Sequence, residues 1–326
     1  YNKYIGIIGG TGTIGSIIVK YLLQLQTHFH VLIGGRRSIK EISMSTFYNS
    51  ERLKYNQMNY NNDVELDNFC SQCLLVINAV GPSFKINDKI ALHALRNNCH
   101  YIDIGGYGIL RDLLKPYEKS IEAQKLCFII GVGWMPGISG VFSKTIIETH
   151  LNSPENTNFN IYYGAVDNWS YSSTYDLAAS SMGKTRSYVY SHGKEIQVSP
   201  FRYTHHKFFP FIGHKKICMP SFDEQLTQLA TSLKQIRKIS TFIMLNDYIS
   251  MGKFMFIKIF YKHNLNKATL MLQDDYQRLV KKENKWGSVI CQVSKIEPER
   301  KIDTFYYLYT KNNLLYTALP AVITTQ

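Results

Sequence analysis

The chain is short of cysteine, proline and tryptophan, with 6, 9 and 3 of them in 326 residues. Six scattered cysteines cannot build the dense disulfide framework of a small secreted domain, and their scatter fits a reducing compartment. Cys70 and Cys73 form a lone C-x-x-C. A structural zinc site needs two further ligands at close spacing, and the nearest histidine is His93. The pair therefore reads as ordinary helix-end cysteines. There is no internal repeat and no low-complexity tract, and apolar residues make up 45% against 19% charged, which excludes a fibrous or disordered chain. Acid is scarce: 24 acidic against 37 basic side chains leave a net charge of +13. The bases stay in short clusters such as Lys215-Lys216 and Lys281-Lys282 without a recognition motif, so nucleic acid is not an expected partner. The charge suits an acidic ligand, protein or surface instead. No long apolar run exists either. The most apolar late stretch, Phe242 to His263, is broken by Asn246, Asp247, Lys253 and Lys258, so no transmembrane segment is expected. The chain opens on Tyr1, so a trimmed start or a lost initiator is expected, and no charged n-region precedes an apolar h-region with a cleavage site.

What is present first is alternation. Apolar, strand-like runs lie at Tyr4 to Gly9, His30 to Ile33, Leu53 to Met58, Leu74 to Val80, Tyr101 to Ile104 and Leu126 to Val132. Helical patterns separate them at Ile14 to Leu25, Lys85 to Asn97 and Pro116 to Gln124. Strands spaced by helices of this length predict a parallel sheet covered on both faces, an α/β doubly wound domain of Rossmann type. The expected extent is 1–145, with a last helix over 314–326, kinked at Pro320, returning to it. A second, α+β domain with a mostly antiparallel sheet is expected over 146–313. Its strands fall at Phe159 to Tyr163, Arg186 to Tyr190, Ile196 to Ser199, Ser288 to Ser294 and Thr304 to Thr310, with helices at Glu224 to Lys238 and Lys253 to His263. Ser191-His192-Gly193-Lys194 reads as a hairpin turn.

Gly10-Thr11-Gly12-Thr13-Ile14-Gly15 has the form G-x-G-x-x-G, directly after a predicted strand and at the start of a predicted helix. Gly10 is assigned the tight turn, Gly12 the approach of a pyrophosphate to the backbone, and Gly15 the close packing of helix on strand. Amides at the helix start stabilise phosphates. The second strand ends in Gly34-Gly35-Arg36-Arg37-Ser38, with no acid before Glu41. A carboxylate there would hold the ribose diol of NAD, whereas a guanidinium pairs with a 2′-phosphate. NADP(H) is therefore expected over NAD(H), with Arg36 first, Arg37 second, and Ser38 as a hydroxyl donor beside Gly35.

Three more loops would stand at the carboxyl edge of the sheet, where doubly wound folds bind ligands. Asn78-Ala79-Val80-Gly81-Pro82-Ser83 lets the backbone approach the cofactor, and Ser83 the substrate. Asp103-Ile104-Gly105-Gly106-Tyr107 supplies Tyr107 as candidate proton donor, Asp103 as a group orienting the substrate, and Gly106 as substrate contact. Gly131-Val132-Gly133-Trp134-Met135-Pro136-Gly137 supplies Trp134, Met135 and Pro136 as an apolar substrate wall. In the second domain Tyr175, and Arg186 as partner of a substrate carboxylate, are candidates. Tyr171, His205 and His206 are weaker ones, and the adjacent histidines read as a loop-exposed pair. No H-E-x-x-H supports a metal and no G-x-S-x-G a hydrolase.

The start I-x-G-G-T-G-x-I-G, the G-R-R strand end, N-A-V-G-P, Y-I-D-I-G-G and the G-x-x-x-P-G loop together resemble the saccharopine dehydrogenase-like NAD(P)-dependent oxidoreductases. The hairpin Tyr190 to Lys194 and Tyr316-Thr317-Ala318 are further matching pieces. The resemblance implies a Rossmann domain with an inserted, mostly β substrate domain, a homodimer, and hydride transfer at a C=N, C=O or C=C bond. The expected protein is thus a cytoplasmic, biosynthetic NADPH-dependent reductase of an anionic or carrier-linked small metabolite, with an acidic carrier protein as a further partner. A non-catalytic NADP(H)-binding sensor and a membrane-associated scaffold are the alternatives.

Overall fold

The computed structural model describes residues 3–24, 29–38, 50–151, 154–182, 187–261 and 263–325. The chain divides into two compact units, Tyr1–Ile138 with Leu314–Gln326, and Ser139–Asn313. The boundary expected at 145 falls inside the helix Ile138–Thr149, whose residues from Ser139 onward group with the second unit.

In the first unit, β1 (Tyr4–Ile8), β2 (Val31–Gly35), β3 (Leu53–Gln57), β4 (Cys73–Asn78), β5 (His100–Asp103) and β6 (Phe128–Ile130) form one parallel sheet. Its order is β3-β2-β1-β4-β5-β6. The order reverses direction between β1 and β4, which is where a doubly wound sheet opens a crevice. Both faces are buried, so neighbouring residues of one strand enter different cores. Val76 and Tyr101 pack with Leu66, Phe69 and Ile90 on one side. Ile77 and Ile102 pack with Ile18 and Val19 of α1 (Thr13–Gln24) on the other. The terminal helix Asn313–Thr324, with Pro320 inside it, adds Ala318, Ala321 and Val322 to that second core.

Two expected elements are shorter than the pattern suggests. The helix expected over Lys85 to Asn97 is two helices, Ser83–Ile86 and Lys89–Arg96, because Asn87 sits at φ 52° and interrupts the helical path. The sixth strand keeps only three residues.

The second unit is built on a mixed sheet of β7 (Thr157–Val166), β8 (Ser187–Ser191), β9 (Lys194–Val198), β10 (His205–Phe209), β11 (His214–Pro220), β12 (Lys238–Leu245), β13 (Trp286–Ile296) and β14 (Lys301–Thr310). The main path runs β10-β11-β12-β7-β13-β14, with the β8–β9 hairpin attached to β12. Every pairing is antiparallel except β12 with β7. The hairpin turn expected at Ser191 to Lys194 joins β8 to β9.

The sheet is strongly curled. Laid flat, β10 and β13 would stand four strand spacings apart, roughly 19 Å. Yet the Lys207 ammonium of β10 donates to Gln292 of β13, and Phe211 stacks on Tyr307 of β14 at 4.3 Å. The helix expected over Glu224 to Lys238 ends at Ser232, and Lys238 opens β12. A central strand buried on both faces reads as a plain apolar run, which periodicity alone cannot separate from helix. The helix expected from Lys253 begins at Tyr248 instead, capped by the Asp247 carboxylate, which accepts from the Ser250 amide at 2.8 Å. The helices Tyr171–Met182 and Leu265–Lys282 and the strands β10 and β11 lay outside the expected set. No helix among the described residues is long and apolar enough to cross a membrane.

Candidate functional site

The glycine-rich turn joins β1 to α1 at the β1–β4 switch point. The left-handed residue is Gly9, at φ +84°, rather than Gly10. A Cβ on Gly9 would also stand 2.9 Å from Val80 and 3.0 Å from the Ala79 carbonyl, so the ends of β1 and β4 meet over this glycine. Gly10 packs instead: its Cβ would fall 2.8 Å from Ile33. Gly15 has the packing role expected of it, since a Cβ there would reach 2.2 Å from the Gly9 carbonyl oxygen. Gly12 is exposed, and a Cβ would meet only the Gly9 oxygen, at 3.1 Å. The Gly12 amide is used within the turn, donating to the Gly9 carbonyl at 2.8 Å. The amides of Thr13, Ile14 and Gly15 open α1 and have no acceptor among the described residues. Three free donors at the positive end of a helix, beside an open glycine, fit a diphosphate.

At the end of β2, the backbone of the two arginines is held by β3. Gln57 donates to the Arg36 carbonyl at 3.4 Å and the Tyr55 hydroxyl to the Arg37 carbonyl at 2.7 Å. Both arginine side chains are exposed, and neither makes an ion pair among the described residues. Arg36 lines a cavity of about 430 Å³ with Gln57, Met58, Asn59 and Glu65. Glu65 is a residue the sequence reading missed. Its carboxylate accepts from the Asn59 amide and from the Asn62 side chain, each at 2.7 Å, at the start of the helix Asp63–Cys70. The N-x-x-E spacing from Asn62 to Glu65 is a capping signal that could have placed it.

Between β4 and β5 lies a buried polar network. Asp103 is 2% exposed. One carboxylate oxygen accepts from the Gly105 and Gly106 amides at 2.9 and 2.6 Å. The other accepts from the Asn78 side chain and the Tyr101 hydroxyl, both at 2.7 Å. Burial, with the carboxylate beside it, pushes the Tyr101 phenol well above its ordinary range, so it stays a donor. Tyr101 and Asp103 can meet because alternate residues of a strand share a face. The expected role of Asp103 in orienting a substrate is corrected here: four donors already occupy its acceptors, and it braces two loops. Asn78 is likewise no free ligand, since its Oδ1 accepts from the Val80 amide at 3.0 Å. Ala79, Val80, Gly81, Pro82 and Ser83 follow it at the sheet edge.

The β6 loop closes on itself. The Gly133 amide donates to the Pro136 carbonyl and the Ile138 amide to the Gly133 carbonyl, both at 3.0 Å. Trp134 is buried edge-on against Tyr316 at 5.7 Å, and its indole N–H has no acceptor among the described residues. Met135 and Pro136 are half-buried. Tyr107 opens the helix Tyr107–Leu114, but its side chain lies outside the described residues, as does Arg186 altogether. Tyr175 is buried in the second unit beside Tyr171. His205 and His206 are not a loop pair. They lie on β10 and alternate, His205 against Tyr162 and Phe242, His206 against Tyr248.

Cys70 and Cys73 are buried with Cys99, whose thiol donates to the carbonyls of both. Burial raises the Cys99 thiol to about 11 and the other two further, so none is a thiolate nucleophile near neutral pH. No group of three or more metal-ligating side chains occurs among the described residues.

Comparison with known proteins agrees with this geometry. Residues 5–127 match the family described as the saccharopine dehydrogenase NADP binding domain. No curated protein matches the sequence. Among solved structures, the chain is similar to the apo saccharopine dehydrogenase (L-Glu forming) of Saccharomyces cerevisiae, with TM-score 0.68 and 12% identity, over 99% of this chain and 90% of that one. It also aligns with the diaminopimelate dehydrogenase of C. glutamicum, with TM-score 0.46 and 11% identity, over 98% of this chain and 86% of that one. The yeast likeness extends the shared fold across both units, and the matched nucleotide-binding family covers the crevice just described. Residues 5–127 thus match a saccharopine dehydrogenase NADP binding domain, in a chain whose fold is similar to that of the yeast enzyme.

Proposed function

We propose that the protein is an NADPH-dependent reductase acting on a C=N, C=O or C=C bond of an anionic or carrier-linked small metabolite. The observation that carries this reading is the pairing of three unpartnered amides at the start of α1 with two guanidiniums at the end of β2. The amides suit the diphosphate, and the guanidiniums suit a 2′-phosphate. When bound, the nicotinamide cofactor supplies the hydride. The chain's own residues then have limited tasks. The turn from Gly9 to Gly15 seats the diphosphate. Val80 and Gly81 lie beside it, and Asp103 fixes the β4 and β5 loops at one height. Tyr107 is assigned the proton, because a reduced imine or carbonyl needs a donor close by. Trp134 and Met135 are assigned the apolar side of the substrate seat, where they would exclude water.

The preference for NADPH is tested on Arg36. Arg36→Ala should weaken NADPH by roughly 1.5–3 kcal/mol, the scale of a hydrogen bond to a charged group, and NADH much less. Titration of nicotinamide fluorescence reads both, and equal losses would overturn the preference. Glu65 gives the opposite sign. Its negative charge shares the Arg36 cavity and opposes a 2′-phosphate. Glu65→Gln keeps an oxygen for the Asn59 amide while removing the charge. NADPH affinity should rise by roughly 0.5–1 kcal/mol, the scale of an exposed charge pair, with NADH unchanged. An unchanged NADPH affinity would place the 2′-phosphate away from this cavity.

A further inference from the structure

The helix Tyr248–Phe260 is apolar on two sides, and the chain covers one of them. Phe254 and Ile257 face inward and pack with Ile217 of β11 and with Leu272. On the other side Tyr248, Ile249, Gly252, Phe256, Ile259 and Phe260 are all exposed. At about 100° per residue these six share one arc of about 120°, and none carries a charge. Lys253 stands at its border, where Asp274 and Asp275 neutralise it at 2.9 and 3.3 Å. The Tyr248 hydroxyl is already bonded to His206 of β10 at 2.8 Å. A helix that is apolar all round belongs in an interior, and this one stands at the surface.

Gly252 narrows the choice of cover. A glycine inside a helix weakens it. Nothing in the chain itself requires one here: its backbone is helical, outside the left-handed region, and a Cβ would meet no atom within 4 Å. The missing side chain leaves a notch between Ile249 and Phe256. A fluid lipid surface moulds to any profile and gives a notch no role, whereas a side chain from a facing helix fits one.

The spacing identifies that side chain. Ile249, Gly252, Phe256 and Ile259 follow at intervals of three, four and three, the seam of two helices packed side by side. The intervals read the same in both directions. Laid antiparallel on its own copy about a two-fold axis, the helix sets Ile249 against the partner's Ile259 and Gly252 against the partner's Phe256, large into small. Phe256 is already held by Phe260, with ring centres 4.5 Å apart. A two-fold axis also sets charges near it against their own copies, which opposes association in a chain of net charge +13, and this arc has none. Exposures of 39 to 66% on the five large side chains leave roughly 600 Å² uncovered on each copy. Two copies together would bury about 1,200 Å², the lower bound of a stable and specific interface. Phe208, exposed on the same side of β10 as His206, extends the apolar surface.

We propose that the exposed face of this helix is a self-recognition surface, through which two copies of the chain form an antiparallel helix pair about a two-fold axis. The proposal does not rest on the reductase reading, since every residue involved belongs to the second unit.

Sedimentation of the full chain at micromolar concentration should show a dimer. Gly252→Leu fills the notch, and Ile249→Lys and Ile259→Glu each place one charge in the seam. Each should weaken the dimer at least about a hundredfold. All three positions are exposed in the single chain, and circular dichroism establishes that the variants fold. The register has its own readout. Mixed in equal amounts, Ile249→Lys and Ile259→Glu should restore a dimer, because one layer then pairs lysine with glutamate and the other pairs two native isoleucines. A wild-type monomer, a dimer that survives all three substitutions, or two monomeric variants that stay apart on mixing would each overturn the proposal. A wild-type chain that stays monomeric and sediments with vesicles of phosphatidylserine and phosphatidylcholine would overturn it as well, and give the face to lipid.

Discussion

Gly12→Val should remove NADPH binding while leaving the fold in place. The two parts of this expectation have separate physical causes. A Cβ at position 12 meets only the Gly9 carbonyl oxygen, at 3.1 Å, so the backbone can give by a few tenths of an ångström. The branched methyls, however, must occupy the exposed space in front of the free amides of Thr13, Ile14 and Gly15. That is where a diphosphate would have to come within hydrogen-bond distance of the backbone. The expected loss is at least about a hundredfold in affinity, roughly 2.7 kcal/mol, with a melting midpoint within a few degrees of the wild type. Gly15→Val is the contrasting control. Its Cβ would fall 2.2 Å from the same oxygen and 2.7 Å from the Gly10 Cα, and neither atom can move without separating α1 from β1. That variant should lose stability first and binding as a consequence. If Gly12→Val still binds NADPH at wild-type affinity, the turn serves packing alone and the nucleotide sits elsewhere.

The same contrast shows what the sequence could reveal. The first unit was legible because its strands are buried on both faces and its turns carry glycine, so apolar runs and G-x-G-x-x-G fix the order of elements with little ambiguity. Even there, the division of labour among the glycines was not. Whether Gly9 or Gly10 takes the left-handed conformation depends on Val80 and Ala79 approaching from β4, seventy residues along the chain. The Arg36 end of the site was readable from the missing acid after β2. Glu65 was not, because it reaches the cavity from a helix whose cap motif was overlooked. In the second unit the pattern failed for a different reason. The sheet curls, so residues such as Lys207 and His205 sit among aromatic rings that the chain supplies from remote strands. A strand reading His-His-Lys-Phe-Phe gives no alternating signal when His205 and Lys207 are partly buried while Phe208 is exposed.

Asp103 carries the second large effect. A carboxylate so deeply buried is stable here because four neutral donors converge on it, from the Gly105 and Gly106 amides, Asn78 and Tyr101. The start of the helix Tyr107–Leu114 lies just beyond, where the helix dipole also favours negative charge. Asp103→Ala strands the buried Asn78 amide and the buried Tyr101 hydroxyl, each at a cost of roughly 1–3 kcal/mol, and frees the two glycine amides. The expected loss of stability is roughly 3–5 kcal/mol, a fall in melting midpoint on the order of 10 °C. Tyr101→Phe removes one donor and leaves three, so it should cost only about 1 kcal/mol. Asp103→Asn should fall between them, since one oxygen survives but its amide group would face the Asn78 amide. Binding should follow the same ranking, because the β4 and β5 loops are held at a common height by this one carboxylate. A general base would behave otherwise: Asp103→Asn would abolish turnover and its pH profile while melting and NADPH affinity stayed at wild-type values. That pattern would overturn the assignment of Asp103 as a brace and return it to the chemistry.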